Sequence, residues 1–177
     1  WFFKAYNGTF EDFQEWFEFL VDYSKNKPNY KWYVKMHPAE FERNKNILKK
    51  LLPVNDKFIL LPKNTSHNQI ISSKIDVVLS VYGSVGYEYP FVNIPVINAS
   101  YNGPHQGYDF NYHAKSKKNY KELLNKIPLI KRKRLNKNNK LKISEYYFIR
   151  FMTNYQFLNN FEKILLKLKE NYKTSMI

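Results

Sequence analysis

Three short segments hold the residue types from which a site for a phosphorylated, hydroxyl-bearing ligand is built. The first is Lys35-Met36-His37-Pro38, where an ammonium and an imidazole stand two residues apart ahead of a proline. A histidine there can donate to a phosphate oxygen, and Lys35 adds a second positive group. The second segment runs from Ser80 through Gly83-Ser84-Val85-Gly86 to Glu88. Its glycines permit close backbone approach, and a capping serine opens a helix whose free N–H groups and positive dipole end suit a phosphate. Glu88, one turn further on, can accept from a ribose hydroxyl pair. The third segment follows Asn98 and carries Ser100, His105, Tyr108 and Asp109 through a Gly/Pro loop. His105 and Asp109 are the candidate catalytic side chains, since a histidine in a closing loop offsets charge developing on a phosphate. Each segment also has an ordinary use, as a strand-end histidine, a capped glycine turn or a surface loop. His67 and His113 read as helix-start and loop residues outside the site. No cluster has metal-ligand spacing. With no cysteine, thiolate zinc sites, cysteine nucleophiles and disulfides are excluded.

The elements that must position these residues alternate along the chain. Phe10, Phe13, Phe17, Leu20 and Val21 recur at helical spacing behind Thr9 as N-cap. A strand is predicted over 31–36, then a helix opened by Pro38 with Phe41, Leu48, Leu51 and Leu52 on one face. A second strand spans 57–61, and Thr65 or Ser66 caps a short helix reaching Ser73. The run 75–81 (IDVVLSV) is continuous, β-branched and apolar, as a strand buried on both faces is, and 94–98 forms the fourth strand. Pro90 cuts or kinks the helix after Gly83 within about two turns. Beyond Tyr120 the chain reads as helical except for a polar stretch over 131–140, with a last helix near 155–172. The expectation is an α/β fold: a Rossmann-like parallel sheet with helices on both faces and a helical C-terminal extension. It divides into a nucleotide-binding domain over 1–127 and a basic linker with helices over 128–177.

The 177 residues carry a net charge of +14, unevenly spread. Residues 1–118 hold 15 basic and 11 acidic side chains, whereas 119–177 hold 14 basic and 4 acidic. Such an excess attracts anionic lipid, nucleic acid or a polyanionic substrate, although abundant Lys, Asn, Tyr and Ile together also mark an AT-rich coding bias. The cluster Lys131-Arg132-Lys133-Arg134 is the densest patch. Nucleic acid is not expected as a partner, because most aromatics fall at core spacing and not among basic residues on one face. No apolar run approaches the roughly 18 residues of a spanning helix. A chain that starts at Trp1 reads as a portion excised from a longer one.

The segments Lys35-Met36-His37-Pro38, Ile75–Ser80 with Gly83-Ser84-Val85-Gly86-Tyr87-Glu88, and Ile94-Pro95-Val96-Ile97 together resemble the donor-binding half of GT-B glycosyltransferases. The likeness is strongest to bacterial capsule and surface-polysaccharide enzymes, including Kdo transferases and sialyltransferases, which carry a His-Pro motif and a later serine motif. It covers roughly residues 10–127, and Pro90 interrupts a helix that is continuous in those enzymes. The resemblance implies a metal-independent, cofactor-free transferase whose donor is a nucleotide-activated sugar, a CMP-sugar first. It implies donor binding by Lys35, His37, Ser84 and Glu88, to which the strand ends and the glycine turn add Ser80, Gly83, Gly86 and Ser100 as candidate binding residues. It also implies an acceptor-binding N-terminal half, with the catalytic base, outside this chain, and a cytoplasmic protein in peripheral contact with the inner membrane face. Related layouts leave two enzyme alternatives, a sugar-nucleotide 2-epimerase and a CDP-alcohol phosphotransferase. A basic module for membrane or RNA is the non-enzyme alternative.

Overall fold

The computed structural model describes residues 9–27, 29–37, 42–52, 57–101, 103, 105–131 and 134–152. The chain forms two compact units, residues 1–134 and 135–177. The first unit is mixed α/β, with small parallel sheets flanked by helices in a Rossmann-like arrangement. In chain order it contains α1 (Phe13–Lys25), β1 (Trp32–Val34), α2 (Glu42–Leu51), β2 (Phe58–Leu60), α3 (His67–Ser72), β3 (Val78–Ser80) and α4 (Val85–Phe91). These are followed by β4 (Val96–Asn98), β5 (Tyr112–His113), α5 (Lys117–Asn125) and α6 (Ile127–Ile130).

The sheet is in two pieces. β1 pairs with β2, and β3–β4–β5 form a second ladder, every pairing being parallel. The expected strand 75–81 enters its ladder only at Val78, because Asp76 stays at the surface in an ion pair with Lys131 at 3.1 Å. Side chains, not main-chain hydrogen bonds, unite the pieces. Trp32 and Phe58 are register partners with rings stacked at 5.3 Å, and both join Phe17, Leu20, Leu48, Ile97 and Ala99 in one core. Helices α1, α5 and α6 close this core with Tyr23, Tyr120, Leu124, Ile127 and Ile130. Fully burying one such side chain contributes roughly 1.5–3 kcal/mol. Ile127, the last residue of the expected first domain, and Ile130 both belong to this core, and the first compact unit ends at Arg134.

Alternation along β4 gives the sheet a second core on its other face. Ile97 points to the core just described, while Val96 meets Ile70 of α3 and Tyr89 of α4. The β3–β4–β5 sheet is therefore covered by helices on both faces.

Local expectations fare differently. The cap of α1 is Asp12, which accepts from the Glu15 N–H at 2.9 Å. Thr9 instead donates to the Ala114 carbonyl at 3.0 Å, tying the start of the described chain to the end of β5. Ser66, one of the two candidate caps, forms a full capping box with Gln69. Pro90 sits one residue before the end of α4, where Asn93, at φ 64°, turns the chain into β4. Pro38 and Phe41 at the expected start of α2, and the expected helix over 155–172, lie outside the described residues.

In the second unit, Asn136 caps a helix α7 (Lys137–Tyr147) that continues as a π-helical turn, Phe148–Met152. The polar stretch 131–140 is not irregular to its end: Lys137–Lys140 are helical because Asn136 accepts from Asn139 N–H at 2.8 Å and starts the turn. Among the described residues no helix is long and apolar enough to cross a membrane.

Candidate functional site

Strand register sets the floor of the site. Ser80 lies opposite Asn98, and Asn98 opposite His113, so these three side chains share one face of the sheet. It is the face that carries Val78 and Val96 two residues earlier. The apolar layer under α3 and α4 thus ends, at the carboxyl edge of the sheet, in a polar row.

α4 crosses above this row by way of a tight turn. Gly83 has φ 152°, a conformation that side-chain-bearing residues rarely adopt. A Cβ on Gly86 would overlap the His105 imidazole, so the absent side chain lets that ring lie against the first turn of α4. His105 belongs to the link between β4 and β5, whose described residues form no helix, and its ring packs against the start of α4. His105 is fully buried. The Asn111 amide holds it, donating to the Gly86 carbonyl at 2.6 Å and to His105 Nδ1 at 3.2 Å. An amide nitrogen facing a carbonyl fixes that side chain's orientation, and an accepting Nδ1 places the imidazole proton on Nε2, 3.4 Å from the Gly83 carbonyl. Both ring nitrogens face protein, which suits a positioning group and not a proton donor to a ligand.

The edges are tied as firmly. Ser100 Oγ donates to the Val81 carbonyl at 2.7 Å, and Ala99 N–H to the Ser80 carbonyl at 2.7 Å, extending the β3–β4 link past the strands. The centre is not. Asn98 Oδ1, Asn111 Oδ1 and both ring nitrogens of His113 are buried without a hydrogen-bond partner. Burial pushes the His113 pKa below its ordinary value of 6.5. The main chain of Ser100 and His105, facing the ring outside good hydrogen-bond geometry, pulls weakly the other way.

Of the residues that the sequence singles out, Ser80, Gly83, Gly86, Ser100 and His105 come together here. Ser84 and Glu88 lie exposed on the solvent side of the α4 turn, and Ser84 makes no capping bond to its helix. The N–H groups of Gly86, Tyr87 and Glu88 are spent on the Gly83 and Ser84 carbonyls, leaving Ser84 and Val85 as the main-chain donors at the turn. Lys35 and His37 follow β1, which belongs to the other ladder. The Lys35 ammonium donates to the Thr65 carbonyl at 2.8 Å, bracing the start of α3, and His37 is exposed. Asp109 is exposed on the 99–111 link.

Three members of the site escape the sequence reading. His113 reads as a loop residue because a two-residue strand has no periodicity to detect, and Asn111 has the same short context. Asn98, the last residue of an apolar strand, carries a visible signal: a polar side chain where its neighbours are all core. His67, the other histidine set aside, does start α3 as expected, and it meets the Tyr89 hydroxyl at 2.8 Å. Among the described residues no group of His, Asp and Glu is placed to hold a metal ion. No protein-family model, curated protein or solved structure matches the chain.

Proposed function

We propose that the chain is the donor-binding domain of a glycosyltransferase of bacterial capsule or surface-polysaccharide synthesis, taking a nucleotide-activated sugar, a CMP-sugar first. The observation that carries this reading is the β3–α4–β4 unit. Its glycine turn and its polar row fall together at the carboxyl edge of a parallel ladder, where open α/β sheets take their ligands. Ser84, exposed at the turn, offers its hydroxyl and N–H to a phosphate, with Val85 N–H beside it. Glu88, on the same exposed side, accepts from the ribose. Calorimetry with CMP, CDP, UDP and GDP tests the reading: a cytidine nucleotide binds and raises the melting temperature by mass action. Binding of none of the four removes it.

A second part of the proposal concerns location. In the second unit Leu141, Tyr147, Phe148, Ile149 and Phe151 are exposed, on a stretch that also carries Lys137, Lys140 and Arg150. Aromatic and aliphatic side chains among basic ones suit an anionic membrane surface, where each nearby cation contributes about 1 kcal/mol. In the first unit the expected basic cluster is partly engaged, with Lys131 on Asp76 and Arg134 on the Asn93 carbonyl, while Arg132 and Lys133 lie outside the described residues. The aromatic turn is therefore the better target. Replacing Phe148, Ile149 and Phe151 by Ser abolishes cosedimentation with anionic vesicles. Unchanged cosedimentation would discard the membrane contact.

A further inference from the structure

The polar layer under α4 has a donor and acceptor balance that selects its occupant. The Asn98 amide nitrogen donates to the Tyr112 carbonyl at 3.3 Å, and that of Asn111 to the Gly86 carbonyl. Both oxygens are thereby fixed as acceptors, and neither receives a hydrogen bond. His113 brings one donor and one acceptor, and no hydrogen bond of good geometry reaches either, although the main chain of Ser100 and His105 faces the ring. Native proteins leave few buried polar atoms unpaired, and here four fall in one contiguous set. Asn98 and His113 are register partners, the His113 and His105 ring centroids lie 5.4 Å apart, and Asn111 binds His105.

A phosphate or carboxylate does not fit this balance, since it brings only acceptors to two amide oxygens. A cation leaves the acceptor need of the layer unmet and finds no carboxylate there, Glu88 and Asp109 both being at the surface. A hydroxyl donates once and accepts twice, and so answers an amide oxygen and an imidazole together. At the sheet edge Ser80 and His113 are half-buried, while Asn98 and His105 have no exposure. Gly103 lies beside the two rings, where a Cβ would stand in ordinary contact with both at 3.6 Å.

We propose that the layer formed by Asn98, Asn111 and His113 seats the neutral hydroxyl groups of a bound sugar or polyol. This rests on the donor-site reading and deepens it: the sugar end of the donor enters the sheet edge, and the phosphates stay outside at the Ser84 turn. Isotope-labelled full chain, titrated with glucose, galactose or glycerol and separately with sulfate or inorganic phosphate, tests it. The neutral probes shift the Asn98 and Asn111 side-chain amide and His113 ring resonances; the anions leave them in place. Asn98→Leu weakens the neutral probe by about tenfold or more, the loss of one buried hydrogen bond. Anions that move the same resonances as strongly overturn the proposal. So do resonances that stay still with every neutral probe, including the case where a trapped water alone fills the layer; neither outcome needs the variant to fold. Nucleotide binding without any sugar response refutes the inference and leaves the donor-site reading standing. A sugar response with no nucleotide binding does the reverse.

Discussion

Gly86 is where a single atom decides the site. A methyl group there overlaps the His105 ring, and that ring is held by Asn111 and faces Gly83, so it has little room to yield. Gly86→Ala is expected to lower stability by about 1–3 kcal/mol, read from the urea midpoint, the usual cost of overpacking. In a His105→Ala background the same change costs much less, and equal costs in both backgrounds would show that the contact does not matter. His113 carries a pH prediction. Burial lowers its pKa from 6.5 in the folded chain, so the unfolded chain binds the proton more readily. Stability is full above that ordinary value and falls as the pH drops through it toward the lowered one. His113→Gln is expected to flatten this slope in denaturation midpoints measured from about pH 8 to 5. At this scale the glycines and serines of the turn are legible, because glycine and serine advertise turns and caps. The amide pair is not: whether an asparagine is a loop residue or a buried clamp depends on partners 6, 14 and 25 residues away, which periodicity does not encode.

Elements are more legible than contacts, and the reasons differ from one to the next. β4 can be read to its correct end because IPVIN is apolar up to its last residue and both faces of the strand are buried. β3 is shorter than its apolar run suggests, since the ion pair of Asp76 with Lys131 keeps the start of that run out of the ladder. β5 escapes notice because it exists only through its partner, with the Ala114 N–H reaching the Asn98 carbonyl at 2.9 Å. The capping box of α3 is legible as a serine three residues ahead of a glutamine. Ser66→Ala should cost about 1 kcal/mol in denaturant unfolding. A cost near zero would mean that the Lys35 ammonium on the Thr65 carbonyl, and not the box, holds this helix start. The link after β4 has the opposite character, since its described residues form no helix and are held through His105 and Asn111.

For the molecule as a whole, composition announces a packed core and a basic C-terminal part, and both follow from residue type alone. It does not announce the boundary between the two units, which depends on Ile127 and Ile130 turning into the first core. Tyrosine burial adds a whole-molecule prediction at high pH. Burial raises the pKa of Tyr23 to about 12 and also raises those of Tyr89 and Tyr120 above the ordinary 10. The folded state keeps protons that the unfolded state releases, so this contribution is intact below pH 10 and is lost as the pH rises through the folded values. Alkaline unfolding followed by tyrosinate absorbance should therefore be cooperative, with folding and ionisation lost together. The other tyrosines of the 15 add a gradual rise of their own, so the test is the late cooperative step, and its absence would show that Tyr23, Tyr89 and Tyr120 ionise with the rest.

The stack of Trp32 on Phe58 has an optical consequence. Trp16 and Trp32 belong to the first unit, and residues 135–177 hold tyrosine and phenylalanine but no tryptophan. Indole emission is thus a native reporter of one unit, while far-ultraviolet ellipticity sums the helices of both. Coincident melting curves from the two signals would identify a single cooperative transition, and separated ones would resolve the units without a label or a cut in the chain.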